Sequence, residues 1–236
     1  MKKNTMLKRL KLTEESFEKI QQAVKKSESK TSGEIAVAVV AESASYSVYE
    51  LFFSLLMGVL LFGILLPFSN KIEEAFIHLF WASSFWHLPA FFGISCFGFT
   101  AIMFWVMNIP AIDRIIIPNA VKKKTVYNRA LRHFVESGVY STSSRSGILI
   151  FVSFMEQEVR IIADSGINQK ISPELWNLIA SDLAEGLGTS DATNAFIRTI
   201  DRCGELLQEF FPLEEGSKNS DELPNGLVIL EEEEWL

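Results

Sequence analysis

The sequence predicts an α/β domain split in two by an inserted pair of membrane-crossing helices. Two short runs, 34–41 (EIAVAVVA) and 147–153 (GILIFVS), are apolar at nearly every position, as strands covered on both faces are. Amphipathic helical patterns flank them. Between the runs lie two long apolar stretches. Residues 51–68 carry no charge, and residues 75–112 contain no Lys, Arg, Asp or Glu. A bilayer core about 30 Å thick takes roughly 20 helical residues, so each stretch is long enough to cross. The parts that follow are 12–47 and 111–213 for the two pieces of the domain, 48–110 for the hairpin and 214–236 for an acidic C-terminal tail.

Each element has its own signal. Thr13 reads as an N-cap, with Glu14 and Glu15 in the positive first turn and Leu12 and Phe17 at the spacing of a hydrophobic staple. Phe17, Ile20 and Val24 continue a helix over 13–29, which Ser32 and Gly33 end. After Pro118, the residues Val121, Tyr127, Ala130, Leu131, Phe134 and Val135 mark one helix face, and Gly138 suits the left-handed position that closes it. Residues 147–153 and 159–163, joined by a short turn, form a strand hairpin. The strand over 34–41 reaches 147–153 through a helix-bearing crossover, which makes that pair parallel. Ser172 and Pro173 start a helix with core stripe Leu175, Trp176, Ile179 and Leu183. Ser190 and Asp191 start the last helix, with Phe196, Ile200, Cys203, Leu207 and Phe210 on one side and Pro212 as its stop.

Charge sets the topology and excludes one partner class. The formal net charge of −7 argues against nucleic acid, which selects a basic face. Up to Ser47 there are nine Lys or Arg against six Glu, and 113–132 holds six basic residues against Asp113 alone. The connector 69–87 offers only Lys71 against Glu73 and Glu74. Basic residues near membrane ends stay cytoplasmic, which puts both pieces of the domain and both termini in the cytoplasm and the connector outside. The N-terminus is basic, yet 13–30 is polar rather than an apolar signal core. The bilayer and a membrane protein are the partners this arrangement implies.

Catalytic motifs are sparse. Cys96 and Cys203 fall in a span and a late helix, make no CxxC pair and read as packing residues. His78 and His87 flank an aromatic connector beside Trp81 and Trp86, an interfacial pattern, and His133 stands alone in a basic helix. No Asp-x-Asp pair and no Gly-Lys-Ser/Thr phosphate loop occurs, and the residue six beyond Cys203 is Glu209 rather than Arg. Any phosphate-ester chemistry would therefore run through scattered carboxylates and a metal.

Several ordered blocks resemble the TPM domain family. They are Ser32-Gly33-Glu34-Ile35 opening the first strand, the run 144–153 followed by 158–167, then Ala195-Phe196-Ile197, 203–207 with Phe211-Pro212, and Asp221-Glu222-Leu223-Pro224. The last set is similar to a bacterial membrane-anchored branch, which implies the inner membrane. The resemblance implies an α/β sandwich, and its members are described as phosphatases, cation-binding modules and assembly or modulatory factors. Ser146 stands where Thr is commoner in that branch, and Asn168 and Gln169 follow Asp164 where a tight divalent site would want a second carboxylate.

Three residues are candidates for ligand or metal contact. Asp164 ends a buried strand at a glycine-containing turn and reads either as a ligand to calcium or magnesium or as a turn aspartate bonded to its own backbone. The glycine beside it permits close approach by a ligand. Glu34 starts the first strand, and Arg145 in the serine-rich loop has a fork suited to phosphate or carboxylate. Two functions follow. One is a membrane-tethered cytoplasmic interaction domain that helps assemble or regulate a membrane complex. The other is a divalent-metal-assisted phosphatase for phosphomonoesters built on Asp164, Glu34 and Arg145.

Overall fold

A computed structural model describes residues 3–81, 84–142, 145–189, 191–213 and 222–231. Ser144, Ser190, Asp221 and most of the acidic tail lie outside those residues. The chain forms two compact units, one of residues 1–45 with 119–236 and one of residues 46–118.

The first unit is built on a mixed sheet. Strands β1 (Glu34–Val40), β2 (Gly147–Ser153), β3 (Glu158–Ala163) and β4 (Leu227–Leu230) lie in the order β3-β2-β1-β4. β1 and β2 are parallel from Glu34 opposite Gly147 to Val40 opposite Ser153, and β2 and β3 are antiparallel. Every β2 residue is buried because helices cover both faces. On one face β1 and β2 present Ile35, Val37, Val39, Ile148, Ile150 and Val152 to the larger core. That core is completed by helices α1 (Lys3–Leu10), α2 (Glu14–Glu28), α9 (Pro173–Leu187) and α10 (Ala192–Phe210). On the other face Ala38, Val40, Leu149 and Phe151 meet Val126, Ala130 and Phe134 of helix α7 (Asn119–Glu136). Each of the larger side chains among them, Val, Ile, Leu or Phe, contributes about 1.5–3 kcal/mol when removed from water.

Local signals act where they were read. The Thr13 hydroxyl accepts from the Ser16 N–H, and Asp191 accepts from the Asn194 N–H to open α10. Gly138 takes φ 77° after α7. The buried face of α7 differs from expectation: it is the single row Lys122, Val126, Ala130 and Phe134. Tyr127, Leu131 and Val135 are 48%, 40% and 50% exposed. Among the described residues that one row meets the sheet, and the adjacent apolar row stays outside.

In the first unit α1 and β4 were not read in the sequence. α1 buries Met6 and Leu10 under the sheet. β4 adds a strand parallel to β1, Val37 opposite Leu227, within the segment assigned to the acidic tail. β4 begins opposite Val37, so the Ile35 N–H lies beyond its reach. The buried Glu28 carboxylate accepts that N–H at 2.8 Å and stands in for the missing strand.

The second unit is helical. Helix α3 (Ser47–Leu65) passes through a short 3₁₀ turn at Pro67 into α4 (Ser69–Phe80), and Trp81 ends it with φ 57°. Much of the connector 69–87 is therefore helix. Helix α5 (His87–Met107) packs on α3, where the row Glu50, Ser54 and Gly58 is buried and Asn108 donates to Glu50 at 3.3 Å. α6 (Pro110–Ile116) closes the unit. The segments Ser47–Phe80 and His87–Met107 are long and apolar enough to cross a membrane.

Candidate functional site

The three residues singled out in the sequence all lie at one end of the sheet. Glu34 stands opposite Gly147 in the register of β1 and β2. Across β2 the Asp164 N–H donates to the Gly147 carbonyl at 2.9 Å. Strand alternation then puts Glu34, Gly147 and Asp164 in one row on the α7 side of the sheet. Two adjacent strand spacings make the two carboxylate residues roughly 10 Å apart at Cα. Arg145 sits two residues before Gly147, exposed and with φ 49°.

Local geometry commits Asp164 to the fold. Asp164 caps the short helix α8 (Ser165–Asn168): its Oδ1 accepts the Ser165 N–H at 2.5 Å and the Ser165 hydroxyl at 3.0 Å. This is the turn-aspartate arrangement. Gly166 does permit a close approach, but the Arg145 main chain makes it. A Cβ at Gly166 would stand 2.6 Å from the Arg145 carbonyl oxygen. The room expected for a ligand is thus filled by the chain's own loop. Gly147 is closed in the same way, by the Val139 carbonyl from the 3₁₀ turn Val139–Ser141.

This donor set does not fit a divalent cation. Calcium takes six to eight oxygens and magnesium an octahedron. Here Oδ2 of Asp164 is the one carboxylate oxygen of that residue with no hydrogen-bond partner among the described residues. Among those residues, no group of three or more His, Cys, Asp or Glu is placed to hold a metal. Other nucleophile and base candidates are likewise structural. Burial pushes the Cys203 thiol up to about 12, against a small opposing effect of Arg202, so it is no thiolate at neutral pH. Burial and then the Arg129 charge hold His133 below its usual range, with Glu136 opposing, and its ring lies 6.5 Å from that of Phe151.

One buried carboxylate at the opposite end of the sheet gave no sequence signal. Glu156 accepts the Ser43 N–H at 2.9 Å and the Ser153 hydroxyl at 2.5 Å, and the Ser43 and Ser153 hydroxyls are 2.7 Å apart. It ties the segment leaving β1 to the β2–β3 turn. A Glu beside a turn is ordinary in sequence, and only the register brings Ser43 to it.

The family model for the TPM domain matches residues 112–206, which span β2, β3, α7, α9 and the Asp164 turn. That stretch is similar to the TPM domain. The BA42 protein of the psychrophilic bacterium Bizionia argentinensis, solved by NMR, has a similar fold, with a TM-score of 0.52 over 92% of this chain and 94% of that one. At 18% identity that likeness concerns the fold alone. No curated protein sequence matches the chain.

Asp164 gives a direct test. Asp164→Ala is expected to cost about 1 kcal/mol through the lost helix cap, and Asp164→Asn, itself a good cap, much less. Calcium and magnesium titrations should leave the melting temperature of wild type and both variants unmoved. A metal-dependent rise in wild type, following RT ln(1 + [L]/Kd), that disappears in Asp164→Asn would establish a cation site instead.

Proposed function

We propose that this TPM-domain protein is tethered in the bacterial inner membrane by its two-helix insert, and that its cytoplasmic domain is an interaction module that assembles or regulates a membrane complex. The observation that carries the reading is the insert's surface. In the most apolar windows of its two long helices only 11% and 6% of residues are buried. A core helix of a water-soluble protein would be mostly covered, and so much exposed apolar side chain in water favours aggregation. A bilayer removes that penalty. The basic residues of 1–47 and 113–132 then hold both pieces of the domain on the cytoplasmic side.

Reporter fusions after Ser45 and after Lys218 are expected to report cytoplasm, and one near Glu74 the outside. Opposite compartments for the two ends would overturn the tethering model. The second reading, a metal-assisted phosphatase, needs Glu34, Arg145 and Asp164 to act together at their shared sheet end, against the poor fit of that donor set to a cation. Purified full-length protein offered a chromogenic phosphomonoester with magnesium, manganese or calcium separates the two readings. Turnover lost in Asp164→Asn and Arg145→Gln would favour the phosphatase, and its absence the interaction module.

A further inference from the structure

β3 is an edge strand with β2 on one side and, among the described residues, no strand on the other. The Asp164–Gly147 bond fixes which of its main-chain groups face β2. Alternation from there turns those of Ile162, Arg160 and Glu158 inward, and those of Val159, Ile161 and Ala163 outward. The Ala163 carbonyl is taken by the Asn168 side chain at 2.6 Å. Among the described residues the outward groups of Val159 and Ile161 meet no such cap.

This edge forms the floor of a groove of about 310 Å³ walled by α7 and α9. Two residues that line the groove each carry a buried donor with no acceptor among the described residues. The donors are the indole Nε1 of Trp176, a residue only 6% exposed, and Nε of Arg160, whose Nη2 is held by Glu158 at 2.8 Å. A buried unsatisfied donor costs about 1–3 kcal/mol, so two of them just beneath the groove lining invite an acceptor that a small side-chain shift would let them reach. The α7 wall carries Tyr127 at the groove, with Leu131 and Val135 exposed along the same helix row. One turn before Tyr127 stand Lys123 and Lys124, both exposed, while the α9 wall within the groove is uncharged.

We propose that this groove takes an extended acidic segment of a partner polypeptide, which adds to the sheet as a fifth strand along β3. Main-chain pairing with Val159 and Ile161 supplies affinity, as in other strand additions. Apolar side chains of the segment cover the Tyr127 row. Its carboxylates complement Lys123, Lys124 and Arg160, and an acceptor on it satisfies the Trp176 indole. A second copy fits less well, because two edges walled by helices bring wall against wall before their strands meet.

The inference rests on the interaction-module reading, yet the two fail separately: the fusions test the tether, and the following experiment tests the groove. Full-length protein in detergent is titrated with alternating Val–Glu and Val–Lys peptides while amide exchange at Val159 and Ile161 is followed. The Val–Glu peptide is expected to bind at least about tenfold more tightly and to slow exchange at both amides. Ile161→Pro, which removes an outward N–H and spares the β2 ladder, should weaken binding by a similar factor. Trp176→Phe keeps an aromatic side chain, loses the indole N–H together with part of the ring volume, and should do the same. Unchanged exchange at both amides, equal binding of the two peptides, or affinity indifferent to both substitutions would overturn the proposal. Protection of the edge without peptide, accompanied by a dimer in light scattering, would overturn it in favour of a second copy.

Discussion

Val37→Asp is expected to make the second piece of the domain, residues 119–213, sensitive to limited proteolysis, although the whole apolar insert separates the two in sequence. Val37 is 1% exposed at the centre of β1, with Ile150 of β2 on one side and Leu227 of β4 on the other. Its side chain lies in the core shared with α2, α9 and α10. An unpaired carboxylate there costs several kcal/mol, a large share of the 5–15 kcal/mol that holds a domain folded. Val135→Asp, on the half-exposed row of α7, should leave the digestion pattern unchanged. If Val37→Asp also leaves it unchanged, β1 does not complete that sheet.

That central strand was legible in the sequence because a buried strand must be apolar on both faces, and so was its parallel partner β2. The same logic gave the β2–β3 hairpin, α9 and α10, whose caps and stripes are local. What escaped was non-local or diluted. β4 is four residues inside an acidic segment, and only its pairing with β1 distinguishes it from tail. On α7 the apolar residues form two adjacent rows, and periodicity cannot say which row a sheet covers. α4 continues a helix that Pro67 marks as a break, since a proline in the first turn of a new helix costs nothing.

The three residues singled out in the sequence come to one end of the sheet, but what surrounds them there was not legible. Asp164 and Glu34 share a row only because the register sets Gly147 between them. Gly166 suggested space for a ligand, whereas the Arg145 carbonyl uses that space, and the Val139 carbonyl closes Gly147 in the same way. A glycine tells that something approaches closely; it does not tell what. Glu28 and Glu156 show the converse case. Both are buried carboxylates that serve the backbone, one standing in for a strand and one joining two turns, and neither is flagged by composition.

Gly147→Val tests whether that packing holds the site end together. A Cβ at this position overlaps the Val139 carbonyl oxygen and comes to 2.8 Å of Val139 Cγ1. The obstructing atom is main chain, so the 3₁₀ turn Val139–Ser141 must move, and with it the loop that carries Arg145. Overpacking of this kind costs about 1–3 kcal/mol. For a domain of roughly this size that is a fall of about 2–12 °C in melting temperature, read by thermal unfolding of the full chain in detergent. Adding Val139→Ala relieves the Cγ1 contact but leaves the carbonyl in place, so the double variant should recover little of the loss. Full recovery would show that the side chain alone closes the row. An unchanged melting temperature in Gly147→Val would show that the turn does not pack on β2, and that the row between Glu34 and Asp164 stands open.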